Sequence, residues 1–293
     1  MTRNQWQLYE DLVDGIPPGI RILDVAASRW TVIVTEVGAG IAMSYHYGPR
    51  EGAKAMTTLG QDLRTVASWS RSWDMSVATI GVAAINSWYN SVERIAAHPR
   101  GVFTGGVSTF DLRRDELDGR RVGMVGHFPE ARRMGEVADL LVFERSPSGH
   151  DLPDQAAEYE LADRDWVFIT GTTLVNKTLP RLLDLAAHAR VTLIGPTTTF
   201  APEVFGDRIG EYGGSLVTDQ DVVMLACKTG CGHRQARDGL MRFNVALPAR
   251  EPRPATPSLA DVERPKPPQE VAEVTLGRVA HPAERTRSGP VGG

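Results

Sequence analysis

The chain has 293 residues, 42% of them hydrophobic and 23% charged, with a formal net charge of −4. Those values describe a chain that can bury a full core, and the length leaves room for two domains. They argue against a nucleic-acid partner, which a basic excess would announce, and no apolar run is long enough to cross a bilayer as a helix. The amino terminus, MTRNQWQLYEDLVDG, lacks the apolar stretch and cleavage site of a secretion signal. Two cysteines, Cys227 and Cys231, do not make a disulfide framework, so a reducing cytoplasm is the expected compartment.

Trp6, Tyr9, Val13 and Ile16 recur at helical spacing until Pro17-Pro18 ends the pattern, which predicts an amphipathic first helix. Three strand-like runs follow: IRILDVAAS, WTVIVTEV and GIAMSYHY. Gly38-Ala39-Gly40 between the last two is a hairpin signal. Helices are predicted over about 59–69 and 74–90. SVATIGVAAINSWYN in the second is apolar nearly all round, the mark of a buried helix. Residues 1–110 thus read as an α+β domain: a helix, an antiparallel meander and covering helices. The Gly-, Arg- and Asp-rich stretch RGVFTGGVSTFDLRRDELDGR marks a junction near 108–120.

From there strand and helix alternate. RRVGMVGHF, LLVFER, DWVFITG, VTLIGPT and GSLVTD are predicted strands, and FNVAL an edge strand. EARRMGEVA, LPDQAAEYEL, TLPRLLDLAAHA and DVVMLACKTG are predicted helices, the second opened by Pro153 and Asp154. Short buried strands between helices predict a mostly parallel, Rossmann-like α/β domain over 115–247. Right-handed crossovers would bring the strand carboxyl ends to one rim, where such sheets bind ligands. From Pro248 to the end lie nine of the nineteen prolines and no aromatic residue, so a disordered tail is expected over 248–293.

Four segments meet at that rim on this reading. Gly126-His127 follows the first parallel strand. GMVGHFP is not a dinucleotide fingerprint, but the turn can present backbone N–H groups to a ligand, and His127 suits proton transfer or metal ligation. Glu144 ends the next strand, where Rossmann proteins hold ribose hydroxyls; its bland reading is a surface ion pair. Thr170, Gly171, Thr172 and Asn176 make an uncharged hydrogen-bonding cluster, and Gly195, Pro196 and Thr197 a second loop of the same kind. Asp154 caps a helix or pairs with Asp151. Cys227, Cys231 and His233 at C-x3-C-x-H spacing form a candidate clamp for a soft metal, against the plainer reading of small hydrophobes near a helix end.

GMVGHFP, VFERSPSGHDLPDQAAE, ITGTTLVNKTLPRLLDL and IGPTTTFAPEVF, in this order, resemble the bacterial and archaeal putative heavy-metal-chelation family. WTVIVTEVGAGIAMS and IGVAAINSWYN resemble its leader domain, which is similar to the amino-terminal domain of enolase. The resemblance implies a Rossmann-like carboxyl half, a site in the cleft between the domains, and a suggested role in heavy-metal chelation. It points to His127, Glu144, Asp154, Thr170, Gly171, Thr172, Asn176, Gly195, Pro196 and Thr197, and to Asn86 from the leader. The cysteine pair is not part of the family pattern, and no enolase activity follows from one half of the chain.

Two function classes stand open at this point. One is a protein that binds a small molecule or metal complex between the domains. The other is an enzyme using a nucleotide-like or S-adenosyl-type ligand, with Glu144 on the ribose and His127 as acid or base. The implied cofactor is accordingly a divalent metal or an adenosine-containing ligand, and homo-oligomerisation is left open. The rim loops offer oxygen atoms and one imidazole but no thiol, which suits hard metals, oxygen-rich chelates or organic ligands better than soft heavy metals.

Overall fold

The structure, a computed structural model, describes residues 6–45, 54–230 and 236–248. The helix Gln7–Asp14 turns Leu8, Tyr9, Leu12 and Val13 inward, as its spacing predicts. Strands β1 (Ile22–Ala27), β2 (Trp30–Thr35) and β3 (Ala39–Met43) form an antiparallel meander with β2 in the middle and wholly buried. The helix Met75–Tyr89 starts where Asp74 accepts hydrogen bonds from the Ser76 and Val77 amides. It packs on β3 so closely that a β-carbon at Gly40 would lie 2.1 Å from the Ser87 amide nitrogen. Glycine is therefore required there for contact rather than for a turn. The other face of the meander packs Ala26, Trp30, Val32 and Val34 against Val223, Met224 and Cys227 of the helix Gln220–Lys228.

The remaining strands make one eight-stranded sheet. They are β4 (Gly101–Gly105), β5 (Arg121–Val125), β6 (Asp139–Glu144), β7 (Leu152–Pro153), β8 (Trp166–Thr170), β9 (Arg190–Ile194), β10 (Glu211–Val217) and β11 (Leu240–Ala246). Their order is β4-β11-β10-β9-β8-β5-β6-β7. All neighbours from β7 to β10 are parallel, and β11 runs antiparallel between β10 and β4. This is the mixed α/β, Rossmann-like architecture that the strand–helix alternation predicts. The strand order reverses between β5 and β8, so the loops leaving them diverge and open a crevice at their carboxyl ends.

Three local expectations are corrected. FNVAL lies in β11, which is flanked on both sides and buries Phe243, Asn244 and Val245. The edge is instead β4, drawn from the stretch expected to be a junction. LPDQAAEYEL is not one helix. Leu152–Pro153 pair with β6, and only Ala157–Glu160 form an α-helical turn. EARRMGEVA shrinks to the single turn Ala131–Met134, with Gly135 at its C-cap. One hydrophobic cluster runs from Leu12, Ile33 and Ile80 to Val125, Ile169 and Leu193, and Tyr9 Oη donates to the Leu174 carbonyl at 2.9 Å. No described helix is long and apolar enough to cross a membrane. Cys231, His233 and the expected tail from 249 onward lie outside the described residues.

Candidate functional site

At the strand carboxyl ends a cavity of about 1010 Å³ opens between the sheet rim and the ends of the meander, where Arg29–Trp30 and Met43–Tyr45 face it. Its floor is made by two glycine turns. Gly126 after β5 has φ +94° and its amide donates to the Phe143 carbonyl. Gly195 after β9 has φ +97° and donates to the Gly213 carbonyl. Those backbone angles favour glycine, and they leave the rim open. Between them Thr170 ends β8, its hydroxyl 2.8 Å from that of Thr172.

The loop after β5 carries His127, whose ring is half exposed to the cavity. Its Nδ1 lies 3.0 Å from both carboxylate oxygens of Asp151. The Asp151 side chain is buried at 5% exposure and also accepts from the Ser148 amide and hydroxyl. Burial works against its ionisation, but the Ser148 amide and the His127 ring outweigh it and hold the carboxyl below its ordinary value. A carboxylate at Nδ1 assigns the proton to that nitrogen and leaves Nε2 with its lone pair on the far side of the ring, the arrangement that serves a general base or a metal ligand.

Glu144 ends β6 beside this loop. Its Oε2 accepts from the His127 amide at 2.8 Å, and its Oε1 from the Arg145 and Ser146 amides at 2.7 and 3.3 Å. The carboxylate thus fills the anion position that the turn's N–H groups would otherwise offer. Arg145 reaches Asp154 Oδ2 at 3.1 Å and Tyr45 Oη at 3.3 Å, and Asn176 donates to the same Tyr45 oxygen at 2.7 Å. Tyr45 therefore ties the meander to the rim. Next to Asn176, Lys177 has φ +67°, and burial pushes its ammonium down to about 8 while Nζ donates to the Val175 carbonyl.

Four arginines (Arg29, Arg145, Arg181, Arg242) and four carboxylates (Glu130, Glu144, Asp154, Glu158) line the cavity. Arg145 and Arg181 are engaged by Asp154 and Glu158. Arg29 and Arg242 have no carboxylate partner among the described residues. Arg242 makes one bond, from Nη1 to the Gly106 carbonyl at 3.1 Å.

The cavity thus gathers Gly126, His127, Glu144, Asp154, Thr170, Thr172, Asn176, Gly195, Pro196 and Thr197 from the sequence reading. Asn86 and Gly171 do not line it. Asn86 is fully buried, donating to the Ile41 and Thr197 carbonyls and accepting from the Thr199 hydroxyl. Gly171 is glycine because a β-carbon would lie 2.4 Å from the Thr198 amide nitrogen. Thr197 touches the cavity, but it is 2% exposed and its hydroxyl accepts from the Met43 amide. Asp151 was visible only as a companion of Asp154. Its pairing with a histidine 24 residues away had no signal in the spacing. Tyr45, Arg29 and Arg242 were not singled out, because only the fold brings them to the rim.

Two family models match the chain, both described as "Putative heavy-metal chelation", over residues 108–246 and 9–89. An uncharacterized protein of Methanocaldococcus jannaschii is 32% identical over 198 residues, covering 64% of this chain and 74% of its own length. The chain belongs to this putative heavy-metal-chelation family. A crystal structure of a protein of unknown function from Desulfitobacterium hafniense, from the DUF364 family, superposes with a TM-score of 0.77 at 30% identity. It covers 83% of this chain and 99% of its own. A second DUF364 crystal structure, of a protein of unknown function from Pyrococcus horikoshii, shares the fold at 18% identity with a TM-score of 0.68. It too covers 83% of this chain and 99% of its own.

Among the described residues, no three of His, Cys, Asp and Glu are placed to hold an ion. Cys227, expected as half of a thiol clamp, sits 5% exposed in the cluster behind the meander, away from the cavity. Its thiol donates to the Trp30 carbonyl at 2.9 Å. Burial pushes that thiol up, which disfavours the thiolate a metal needs. The described side chains therefore do not form a self-sufficient cage for a bare soft metal.

Proposed function

We propose that this protein binds a small organic molecule, free or carrying a metal ion, in the cleft between the meander and the sheet rim. The observation that carries the reading is the cavity itself. At about 1010 Å³ it has the size of an organic-ligand site. It sits at the switch in strand order and is lined by hydroxyls, amides, guanidinium groups, carboxylates and one oriented imidazole. A bare ion needs neither that volume nor that chemistry. The reading agrees with the family's description if the metal arrives as a complex.

A thermal-shift screen with metal salts, carboxylate chelators, their metal complexes and adenosine compounds tests it, because a ligand that binds the native state raises the melting temperature by mass action. The expected result is stabilisation by chelators or their complexes, lost when Thr172→Val and Asn176→Ala are combined. Stabilisation by bare metal salts alone, unchanged in that variant, would refute it.

A second reading, an enzyme with an adenosine-type ligand, draws support from the His127–Asp151 pair, the geometry of an acid–base dyad. Its ribose anchor is weaker, since three backbone amides already occupy Glu144. Stabilisation by adenosine compounds only, abolished in Glu144→Ala, would favour it over the first.

A further inference from the structure

We infer that the floor of the cleft receives a flat aromatic ring with an uncharged polar edge. The ring packs against Phe128, and the hydroxyl pair of Thr170 and Thr172 bonds its edge. This rests on the cleft being the ligand site and names the class of molecule it takes.

Phe128 is fixed by what surrounds it. It follows His127 in the loop after β5, lines the cavity and is half-buried. A β-carbon on Gly126 would lie 3.7 Å from its Cε2, and one on Gly195 would lie 3.4 and 3.6 Å from its Cε1 and Cζ. The tip of the ring thus rests on both glycine turns, across the end of β8 between them. Behind it stands a row of rings. Phe110 is 5.4 Å from Phe128 by ring centroids, Phe168 is 4.8 Å from Phe110, and Trp166 is 5.7 Å from Phe168 and nearly parallel to it. Phe110, Phe168 and Trp166 are buried, and Phe128 is the open end of the row. These spacings are those at which aromatic rings attract, offset or edge-on, and a guest's ring would continue the series. Covering an apolar ring that is already held in place releases water and costs little conformational freedom.

The chemistry beside Phe128 selects which part of a guest lies there. The β-carbon position on Gly195 that touches the ring is also 3.9 Å from Thr170 Oγ1, and that hydroxyl is 2.8 Å from the hydroxyl of Thr172. Two hydroxyls donate and accept hydrogen bonds without charge. An anionic group is disfavoured, because Glu144 already sets a carboxylate against the His127, Arg145 and Ser146 amides. An aliphatic chain would cover the ring and leave the hydroxyls unmet, and a sugar would do the reverse. A flat ring with an amide, imide or ring-nitrogen edge satisfies both.

The test uses two uncharged probes of similar size that share an amide and differ in flatness, benzamide and cyclohexanecarboxamide, with nicotinamide as a second aromatic. Binding to the full chain is measured by ligand-observed NMR titration. The aromatic amides are expected to bind about 2- to 10-fold more tightly than cyclohexanecarboxamide. Phe128→Leu, which keeps an apolar side chain, should erase that preference. Thr170→Val with Thr172→Val should weaken all three amides by a similar factor. Nuclear Overhauser contacts from benzamide to the Phe128 ring in the wild-type protein give a reading that needs no variant. Cyclohexanecarboxamide binding as tightly as benzamide, an aromatic preference that survives in Phe128→Leu, or affinities unchanged in the threonine pair would each overturn the proposal. So would silence of all three amides while carboxylate chelators still stabilise the chain, an outcome that leaves the cleft as a ligand site. Amide binding unmoved by the Phe128, Thr170/Thr172 and Thr172/Asn176 variants alike places the ligand elsewhere and removes the reading beneath it.

Discussion

Asn86 separates a structural role from a ligand role. Its side chain is fully buried and makes three bonds: Nδ2 to the Ile41 carbonyl at 2.9 Å and the Thr197 carbonyl at 3.2 Å, and Oδ1 from the Thr199 hydroxyl at 2.5 Å. It thereby fastens the helix Met75–Tyr89 to β3 and to the loop after β9. Asn86→Ala removes all three bonds at once. Each contributes about 1 kcal/mol net, and the partners left dry add to the loss, so the expected destabilisation is about 3–5 kcal/mol. That is a large share of the ~5–15 kcal/mol by which such a fold is stable. At roughly 2–4 °C per kcal/mol, the melting temperature should fall by about 6–20 °C. Urea unfolding followed by tryptophan fluorescence measures it, with an unchanged slope showing that the same two states are compared. Asn86→Leu, with the same branched skeleton but larger methyl ends, should keep the shape, lose the hydrogen bonds and crowd the partners. A loss below about 1 kcal/mol in Asn86→Ala would refute the reasoning, given how costly stranded polar groups are. So would a variant that stays stable but loses ligand affinity, for Asn86 would then face the ligand.

Asp151→Asn should weaken the fold in a pH-dependent way. The folded chain holds this carboxyl below its ordinary value, so its stabilisation is complete above the unfolded value near ~3.9 and fades as pH falls through the lower folded one. The gap between wild type and variant in urea titrations should therefore close as pH falls below ~3.9, and a constant gap from neutral to acid would contradict it. Cys227 should resist iodoacetamide in the native protein and react on unfolding, as peptide mass mapping would reveal; rapid native labelling would mean that the thiol is not enclosed. Gly40→Ala should cost more than about 3 kcal/mol or prevent folding, because the new methyl would meet backbone of the neighbouring helix at 2.1–2.5 Å. Soluble expression and melting temperature near wild type would show that helix and strand can part cheaply.

The strand–helix alternation was legible because the parallel strands are buried on both faces and read as short runs of Val, Ile, Leu and Phe, as in WVFIT. The rim was legible for the same reason: once β5, β6, β8 and β9 are parallel, Gly126, Glu144, Thr170 and Gly195 must emerge on one side. Strand β4 was not, since GVFTG is short, glycine-flanked and largely exposed, and pairs with residues more than a hundred positions away. The direction a polar side chain faces was also hidden. Asn86, Thr197 and Asn176 look alike as residues near a loop. Yet the first is sealed inside, the second is a rivet for Met43, and the third bonds Tyr45 at the cavity wall. Composition and spacing report that a polar atom must be satisfied, not whether protein or ligand satisfies it.

The position of Glu144 constrains how a guest can lie in the cleft. In a dinucleotide-binding sheet the first turn offers its amides to a phosphate. Here the carboxylate of Glu144 takes the His127 amide, and the following two amides of its own loop as well. A negative charge is thus built into the place where a ligand's phosphate would rest, and a second anion there would meet repulsion rather than donors. Of the cations without carboxylate partners, Arg29 lies on the meander and Arg242 on β11, four strands from β5. On the proposed reading, an anionic group of the guest avoids the His127 turn and lies along the rest of the rim. Replacing Glu144 by Gln would set an NH2 group against backbone N–H donors, loosening the loop that carries His127. A melting temperature and ligand-induced shift unchanged from wild type in Glu144→Gln would show that the carboxylate does not hold that loop.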